Sequence, residues 1–78
     1  MYYTYVLESL LDGKRYIGYT SNFKKRFLEH NNGSNLSSKL RKPFKLVYCE
    51  ICLDKYKAIK REKYFKTGFG RRYLKNRI

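Results

Sequence analysis

An acidic residue occupies the inward face of a predicted helix, where an apolar residue is expected. Ala58 and Phe65 mark that face at helical spacing, and Glu62 falls in the middle of the same arc. A carboxylate against a core costs on the order of several kcal/mol unless it is paired or binds a metal. One interpretation is a buried ion pair with Arg26 or Lys66. The other is a site for one Mg²⁺ ion, which needs only one or two carboxylates together with a substrate phosphate.

A polar pair lies on an earlier predicted helix. Phe23 and Phe27, four residues apart, form an apolar stripe, and Arg26 and His30, also four apart, flank that stripe instead of lying opposite it. An arginine that only interacts with water would lie on the far side of the helix. The pair is interpreted either as an arginine that snorkels beside a polar histidine, or as two groups that face a phosphate at the edge of the sheet.

Tyrosine is the most abundant aromatic residue, with nine Tyr against five Phe and no Trp. Buried hydroxyls need hydrogen-bond partners, so several of these rings are expected to line a cleft. Tyr3 and Tyr5 share one face of a predicted strand, and Tyr16 and Gly18 share one face of the next. Gly18 is expected to let another backbone approach closely. Ordinary cross-strand pairing of aromatic rings is the alternative.

Positioning these residues requires a small sheet with helices packed on it. A chain of 78 residues has room for one core, so residues 1–78 are predicted to form a single α+β domain, a three-stranded antiparallel sheet flanked by helices in the order ββαβαα. The predicted strands are Tyr2–Ser9, Lys14–Thr20 and Phe44–Leu53. The predicted helices run from a cap at Ser21 or Asn22 to about Asn31 with Gly33 as the stop, from a cap at Asp54 to about Lys66, and over Arg71–Arg77 after a break at Thr67–Gly70.

The charge of the chain predicts a polyanionic partner. There are 19 Lys and Arg against six acidic residues, a net charge of +13. Self-repulsion at this charge destabilises the compact state, so nucleic acid is the expected partner. Residues 1–23 are net neutral, whereas residues 24–48 carry +6 and residues 49–78 carry +7. The later elements are therefore predicted to form the surface that contacts nucleic acid.

The sequence carries no sign of a membrane or secretory protein. No apolar run approaches the roughly 20 residues that a membrane span needs, and the first residues lack the basic and apolar regions of a signal peptide. Cys49 and Cys52 supply only half of a structural zinc site and are predicted to point to opposite faces of one strand. We therefore expect a cytoplasmic protein with no membrane partner and two free thiols.

Five of these residues have the types, order and spacing of the signature residues of the GIY-YIG nuclease family, which the sequence therefore resembles. Nearly the whole chain takes part in the resemblance, which is to the small stand-alone branch of UvrC-like and UPF0213-like proteins. Tyr3 replaces the glycine of the first motif, and the loop in which some members carry a histidine has Ser37 and Ser38 here. The matching segments are Tyr3-Thr4-Tyr5, Tyr16-Ile17-Gly18, Arg26 and His30 on one helix, and Glu62 on a later helix.

The resemblance implies a divalent-metal-dependent endonuclease that hydrolyses phosphodiester bonds in nucleic acid, in DNA rather than RNA, in repair or structure-directed cleavage. By resemblance, the site residues are the signature tyrosines Tyr5 and Tyr16, the catalytic arginine Arg26, the helix histidine His30, and Glu62 as ligand of one Mg²⁺ or Mn²⁺ ion. Two alternatives stay open. One is a catalytically silent nucleic-acid-binding module that retains the nuclease fold. The other is a small basic protein that docks on a larger RNA or repair assembly.

Overall fold

The computed structural model describes residues 1–35 and 38–78, and it confirms the predicted α+β fold in the order ββαβαα. The elements are β1 (Tyr2–Ser9), β2 (Arg15–Thr20), α1 (Phe23–Asn32), η1 (Lys39–Arg41), β3 (Phe44–Cys52), α2 (Lys55–Phe65) and α3 (Gly68–Lys75). The three antiparallel strands form one sheet in the order β2-β1-β3. The short 3₁₀ helix η1 lies in the connection before β3.

The central strand β1 sends alternate side chains to the two faces of the sheet, as its pleat requires. On one face, Tyr5 and Leu7 pack with Phe44 of β3 in a buried cluster. Phe23 and Phe27 of α1 pack against this cluster, and their stacked rings lie 5.6 Å apart between centroids. The apolar stripe predicted on the first helix is therefore the surface by which α1 covers the sheet.

The opposite face of the sheet packs against α2 and α3. Val6 of β1 forms a second buried cluster with Phe65 of α2 and Leu74 of α3. Arg61 lies beside this cluster, with its guanidinium 4.7 Å from the centroid of the Phe65 ring. Its Nε and Nη2 atoms donate to the two carboxylate oxygens of Glu50 on β3, at 2.9 and 2.7 Å. This bidentate pair ties α2 to an edge strand.

Two helices begin where the capping residues predict. The Asn22 side chain accepts a hydrogen bond from the backbone N–H of Lys25, which satisfies one of the free donors at the start of α1. Asp54 accepts from the backbone of Tyr56 in the same way at the start of α2. Gly33 ends α1 in the left-handed region, with φ of 82°, as a C-terminal glycine commonly does.

The third helix differs from its prediction, because it begins at Gly68 rather than Arg71. The Thr67 hydroxyl caps it by accepting from the backbone N–H of Gly70 at 3.2 Å. Gly70 is buried, and a Cβ at this position would overlap the Tyr64 carbonyl and the backbone of Phe65. The two glycines therefore do not break the chain into a loop. Gly70 allows α3 to pack directly on the end of α2.

Candidate active site

Tyr5 is buried at the centre of the candidate site, with 1% of its surface exposed. It lies opposite Gly18 in the register of β1 and β2. A Cβ at Gly18 would lie 2.5 Å from the Tyr5 hydroxyl oxygen and 2.7 Å from Cζ. The prediction that Gly18 admits another backbone is wrong in this respect: the space holds the end of the Tyr5 side chain, since only glycine leaves room for it.

His30 is buried on α1 and both of its ring nitrogens have partners. Nε2 lies 3.0 Å from the Tyr5 hydroxyl, and Nδ1 lies 2.6 Å from the Ser38 hydroxyl. The Tyr16 ring packs edge-on against the imidazole, with 4.6 Å between centroids. Because no part of His30 reaches the surface, the interpretation of this residue as a phosphate-facing group does not fit. Its geometry suits a residue that positions Tyr5.

Arg26 lies one turn before His30 on α1 and is partly exposed. Its Nε lies 3.3 Å from a carboxylate oxygen of Glu29 in an i,i+3 pair. Arg26 also lines a surface cavity together with Tyr2, Tyr19 and Lys55. The guanidinium is thus accessible beside aromatic and cationic groups, as contact with a nucleic-acid backbone requires.

Glu62 projects from α2 toward β2 and pairs with Lys66 rather than with Arg26. The Lys66 ammonium lies 3.6 Å from the Glu62 carboxylate, in an i,i+4 pair whose side chains are 55% and 19% exposed. An i,i+4 pair on a helix contributes only about 0.3–0.5 kcal/mol, and here the lysine is exposed whereas the glutamate is largely buried. Glu62 and Tyr16 line the same cavity, of about 680 Å³. The carboxylate is therefore only weakly held and opens onto a space large enough for a ligand.

Cations surround the cavity that Tyr16 and Glu62 share. Lys14 and Arg15 come from the turn and the start of β2, Lys66 follows the end of α2, and Arg71 belongs to α3. These four cations outnumber the carboxylates of Glu8 and Glu62, so the cavity is net positive and suited to an anionic group such as a phosphate. The N-terminal part of the chain, although net neutral, thus contributes two of the cations that face the site.

The electrostatics of the site link the five predicted residues to one another. Burial raises the pKa of Tyr5 well above its usual value, with a further contribution from Tyr16. Interaction with the Arg26 guanidinium opposes this rise, and the Glu62 carboxylate adds to it. Burial lowers the pKa of His30, and so does the charge of Arg26. Both Tyr5 and His30 are therefore neutral near pH 7.

The ligands that the site offers to a divalent metal are few. In residues 1–35 and 38–78, no three His, Cys, Asp or Glu residues come together in a metal-binding group. Mg²⁺ does not require such a group, because it keeps most of its waters and binds one or two carboxylates plus substrate phosphate. Glu62 supplies one carboxylate to the cavity, and the cations that line the cavity would hold the phosphate that completes the coordination, so the residues present fit a site of this sparse kind.

Ser38 was noted in the sequence only as one of two serines in the loop where some family members carry a histidine, and its contact with His30 was not predicted. It follows His30 by eight residues, is completely buried, and contacts Nδ1 directly. No helical or strand periodicity relates the two positions, so their spacing gave no signal. The companion position noted in the sequence, Ser37, lies outside the described residues.

Cys49 and Cys52 are free and partly buried, as expected.

The described helices include none that is both long and apolar enough to cross a membrane.

The family model of the GIY-YIG catalytic domain matches residues 1–76. A UPF0213 protein of Staphylococcus saprophyticus is 39% identical over 75 residues, which cover 95% of this chain and 90% of that protein. A UPF0213 protein of Bacillus licheniformis is 44% identical over 66 residues, covering 83% and 67%. The solution NMR structure of a UPF0213 protein from Bacillus halodurans has a TM-score of 0.60 and 30% identity, covering 97% of this chain and 84% of that one.

Proposed function

The chain belongs to the GIY-YIG family, and on that basis we propose that it is a nuclease that hydrolyses phosphodiester bonds in nucleic acid. One observation carries the proposal beyond family membership. Tyr16 and Glu62, from different elements, line one cavity that four cations also line, while Arg26 and His30 both interact with Tyr5. The shared cavity supports a role for the Glu62 carboxylate and the Tyr16 phenol at a phosphate, and the Arg26 guanidinium lines a neighbouring surface cavity.

We assign Glu62 as the protein ligand of one Mg²⁺ or Mn²⁺ ion. Such an ion, when bound, would neutralise charge on a phosphate oxygen and on the leaving alkoxide. The weak pair with Lys66 supports this assignment, because little free energy is lost when the carboxylate exchanges the ammonium for a cation of higher charge. Lys66 then remains at the cavity to contact the substrate backbone.

Arg26 is assigned to the scissile phosphate. A guanidinium carries several N–H donors in a planar fork that matches two phosphate oxygens, and it stabilises charge as that charge develops. The pair with Glu29 is partly exposed, so a phosphate can compete for the guanidinium. Glu29 then serves to hold the arginine in place before substrate arrives.

The two signature tyrosines have different roles in this proposal. Tyr16 is partly exposed and lines the cavity with Glu62, so it orients the attacking water. Tyr5 is buried, its pKa is raised by that burial, and its hydroxyl bonds His30. Tyr5 is therefore a poor base, and we assign it to positioning Arg26 and the neighbouring tyrosine.

We also propose a substrate polymer, a compartment and a partner for this protein. DNA rather than RNA is proposed as substrate, in repair or structure-directed cleavage, in the cytoplasm and with a larger repair assembly as a partner. These points are supported by the resemblance to UvrC-like domains and by the net charge of +13, which favours a polyanion of any kind. The charge equally favours a nucleic-acid-binding module without catalytic activity, the second candidate.

A nuclease panel separates the two candidates. The purified protein is incubated with branched, nicked, duplex and single-stranded DNA and with matched RNA, in Mg²⁺, Mn²⁺ or EDTA, and binding is measured on the same substrates. The proposal expects cleavage that requires the metal and is greater on at least one DNA than on its RNA counterpart. Binding of every substrate without metal-dependent cuts would instead support the silent module.

A further inference from the structure

Ser38 occupies a fixed position at the end of a buried hydrogen-bonded chain. Its backbone N–H donates to the Asn35 carbonyl at 3.2 Å, and its own carbonyl accepts from the backbone N–H of Arg41 at 3.0 Å. Its side chain has no exposed surface. The hydroxyl thus cannot turn to solvent, and it is held 2.6 Å from Nδ1 of His30.

The direction of the hydrogen bonds in this chain depends on where His30 carries its proton. A neutral imidazole has one N–H donor and one acceptor nitrogen, and His30 is neutral because burial and the nearby Arg26 both disfavour its charged form. With the proton on Nδ1, the ring donates to Ser38 and accepts from the Tyr5 hydroxyl. With the proton on Nε2, both of these bonds are reversed.

The two ends of this hydrogen-bonded chain favour the same direction of donation. At one end, the Ser38 hydroxyl lies 3.5 Å from the Asn35 carbonyl oxygen, which can only accept. At the other end, Tyr5 interacts with the guanidinium of Arg26, which can only donate. A Tyr5 hydroxyl that gives its proton to His30 presents its oxygen lone pairs to Arg26, whereas the reversed hydroxyl must direct its proton elsewhere.

We propose that Ser38 is a positioning residue that holds the proton of His30 on Nδ1, so that Tyr5 donates to Nε2 and keeps its oxygen free to accept from Arg26. The order of donation is then Arg26 to Tyr5, Tyr5 to His30, His30 to Ser38, and Ser38 to the carbonyl of Asn35. Ser38 acts on the reacting groups only through this chain. Its effect on cleavage rests on the proposed nuclease function, but its effect on the histidine does not.

The histidine can be observed without any activity measurement. His30 is the one histidine in the chain, so a long-range ¹H–¹⁵N correlation spectrum of uniformly labelled protein reports its tautomer with no ambiguity of assignment. We expect the pattern of the neutral ring protonated on Nδ1. The opposite pattern, with the proton on Nε2, overturns the proposal in the wild-type protein, before any variant is made.

Three variants test whether Ser38 is responsible. Ser38→Ala removes the acceptor and is expected to shift the ring toward the Nε2-protonated form. Ser38→Thr keeps the hydroxyl and is expected to keep the wild-type tautomer, as is Ser34→Ala, an exposed control in the same loop. Amide spectra of each variant establish that the fold is kept. An unchanged tautomer in folded Ser38→Ala overturns the proposal.

Cleavage gives the second readout once the nuclease panel identifies a substrate. Ser38→Ala is expected to lower kcat by about tenfold, the equivalent of one lost hydrogen bond, with little change in KM. Ser38→Thr is expected to restore most of kcat. A wild-type protein that cuts nothing contradicts the nuclease function, and the imidazole spectrum still decides the role of Ser38.

Discussion

The hydroxyl of Tyr5 lies in the space that the side chain of any residue other than glycine would occupy at position 18. The two residues face each other across β1 and β2, and a Cβ at Gly18 would lie 2.5 Å from the Tyr5 oxygen. Strand β2 carries the motif Tyr16-Ile17-Gly18, and Tyr5 belongs to the motif on β1. The strand and this buried tyrosine therefore fit together. This fit explains why a glycine, which weakens a strand, is present in the middle of β2.

Gly18→Ala is predicted to destabilise the fold and to displace Tyr5. Overpacking of this kind costs about 1–3 kcal/mol, and the displacement should lengthen the bond from Tyr5 to His30. Urea denaturation measures the first effect, and the imidazole resonances of His30 measure the second. Gly68→Ala is the matched control, because no atom lies within 4 Å of a Cβ at that position. Equal stability of the two variants would contradict the fit described above.

Glu62→Gln is predicted to abolish metal-dependent cleavage while nucleic-acid binding is kept. A bound metal contributes several kcal/mol to charge stabilisation, so we expect a loss of about 100-fold or more in kcat. Lys66→Met is the comparison, because it breaks the same ion pair. Both variants should lose at most about 0.5 kcal/mol of stability. Because Lys66 is also assigned to the substrate backbone, Lys66→Met should weaken binding with kcat largely kept. An equal loss of kcat in the two variants would indicate that Glu62 serves only as the partner of Lys66.

Arg26→Ala is predicted to lower kcat by about 100- to 1,000-fold, the range for loss of one donor to a developing oxyanion. Arg26→Lys should recover little of this loss, because an ammonium keeps the charge but not the planar fork. Lys25→Ala, an exposed cation on the same helix, is the control and should weaken binding slightly without a specific loss of kcat. Steady-state kinetics with separate binding measurements distinguish these results. Full activity in Arg26→Lys would argue against a bidentate contact.

Glu50 is predicted to make stability depend on pH through its pair with Arg61. The hydrogen bonds from Arg61 hold the pKa of Glu50 below its usual value. The unfolded state therefore binds more protons, so this contribution is complete above the unfolded pKa, roughly 4.3, and is lost as pH falls through the folded value. Glu50→Gln should cost about 1 kcal/mol at pH 7 and little in strong acid. Urea titrations at several pH values measure the difference.

Glu8→Gln is the control for this prediction. Glu8 is also a strand carboxylate, but its nearest cations, on Lys45 and Arg15, lie 3.3 and 3.9 Å away and are partly exposed. Exposed pairs contribute about 0.2–1 kcal/mol at most. A pH dependence as large in Glu8→Gln as in Glu50→Gln would indicate that the general charge of the chain, not the bidentate pair, is responsible.

The parts of the fold that follow from local chemistry were predictable from the sequence. The cap residues Asn22 and Asp54 and the stop at Gly33 act within a few residues of their own position, and the stripe of Phe23 and Phe27 depends only on helical spacing. The start of α3 was not predictable in this way. Gly70 lies inside a helix because of the backbone it packs against, and that neighbour is known only once the helices are placed.

The residues of the candidate site also differ in how far local sequence patterns predict them. Glu62 could be singled out because a carboxylate in an apolar arc violates a local pattern, yet its partner, Lys66 rather than Arg26, depends on the direction of the side chain in the folded protein. Ser38 could be noted only as a departure from the family, some members of which carry a histidine in this loop. Its role follows from the path of the connection that brings it to His30, which the sequence does not specify. The assignment of all five predicted residues to catalysis stays a prediction.

The central position of β1 couples the two halves of the molecule during folding. Tyr5 belongs to the cluster under α1, and the next residue, Val6, belongs to the cluster under α2 and α3. Neither layer can separate from the sheet without exposing residues of the same strand. Partial opening at this strand should therefore require nearly the whole free energy of unfolding. The amide protons of β1 would then exchange with solvent only when the entire chain unfolds, so that the candidate site is lost in the same step as the fold.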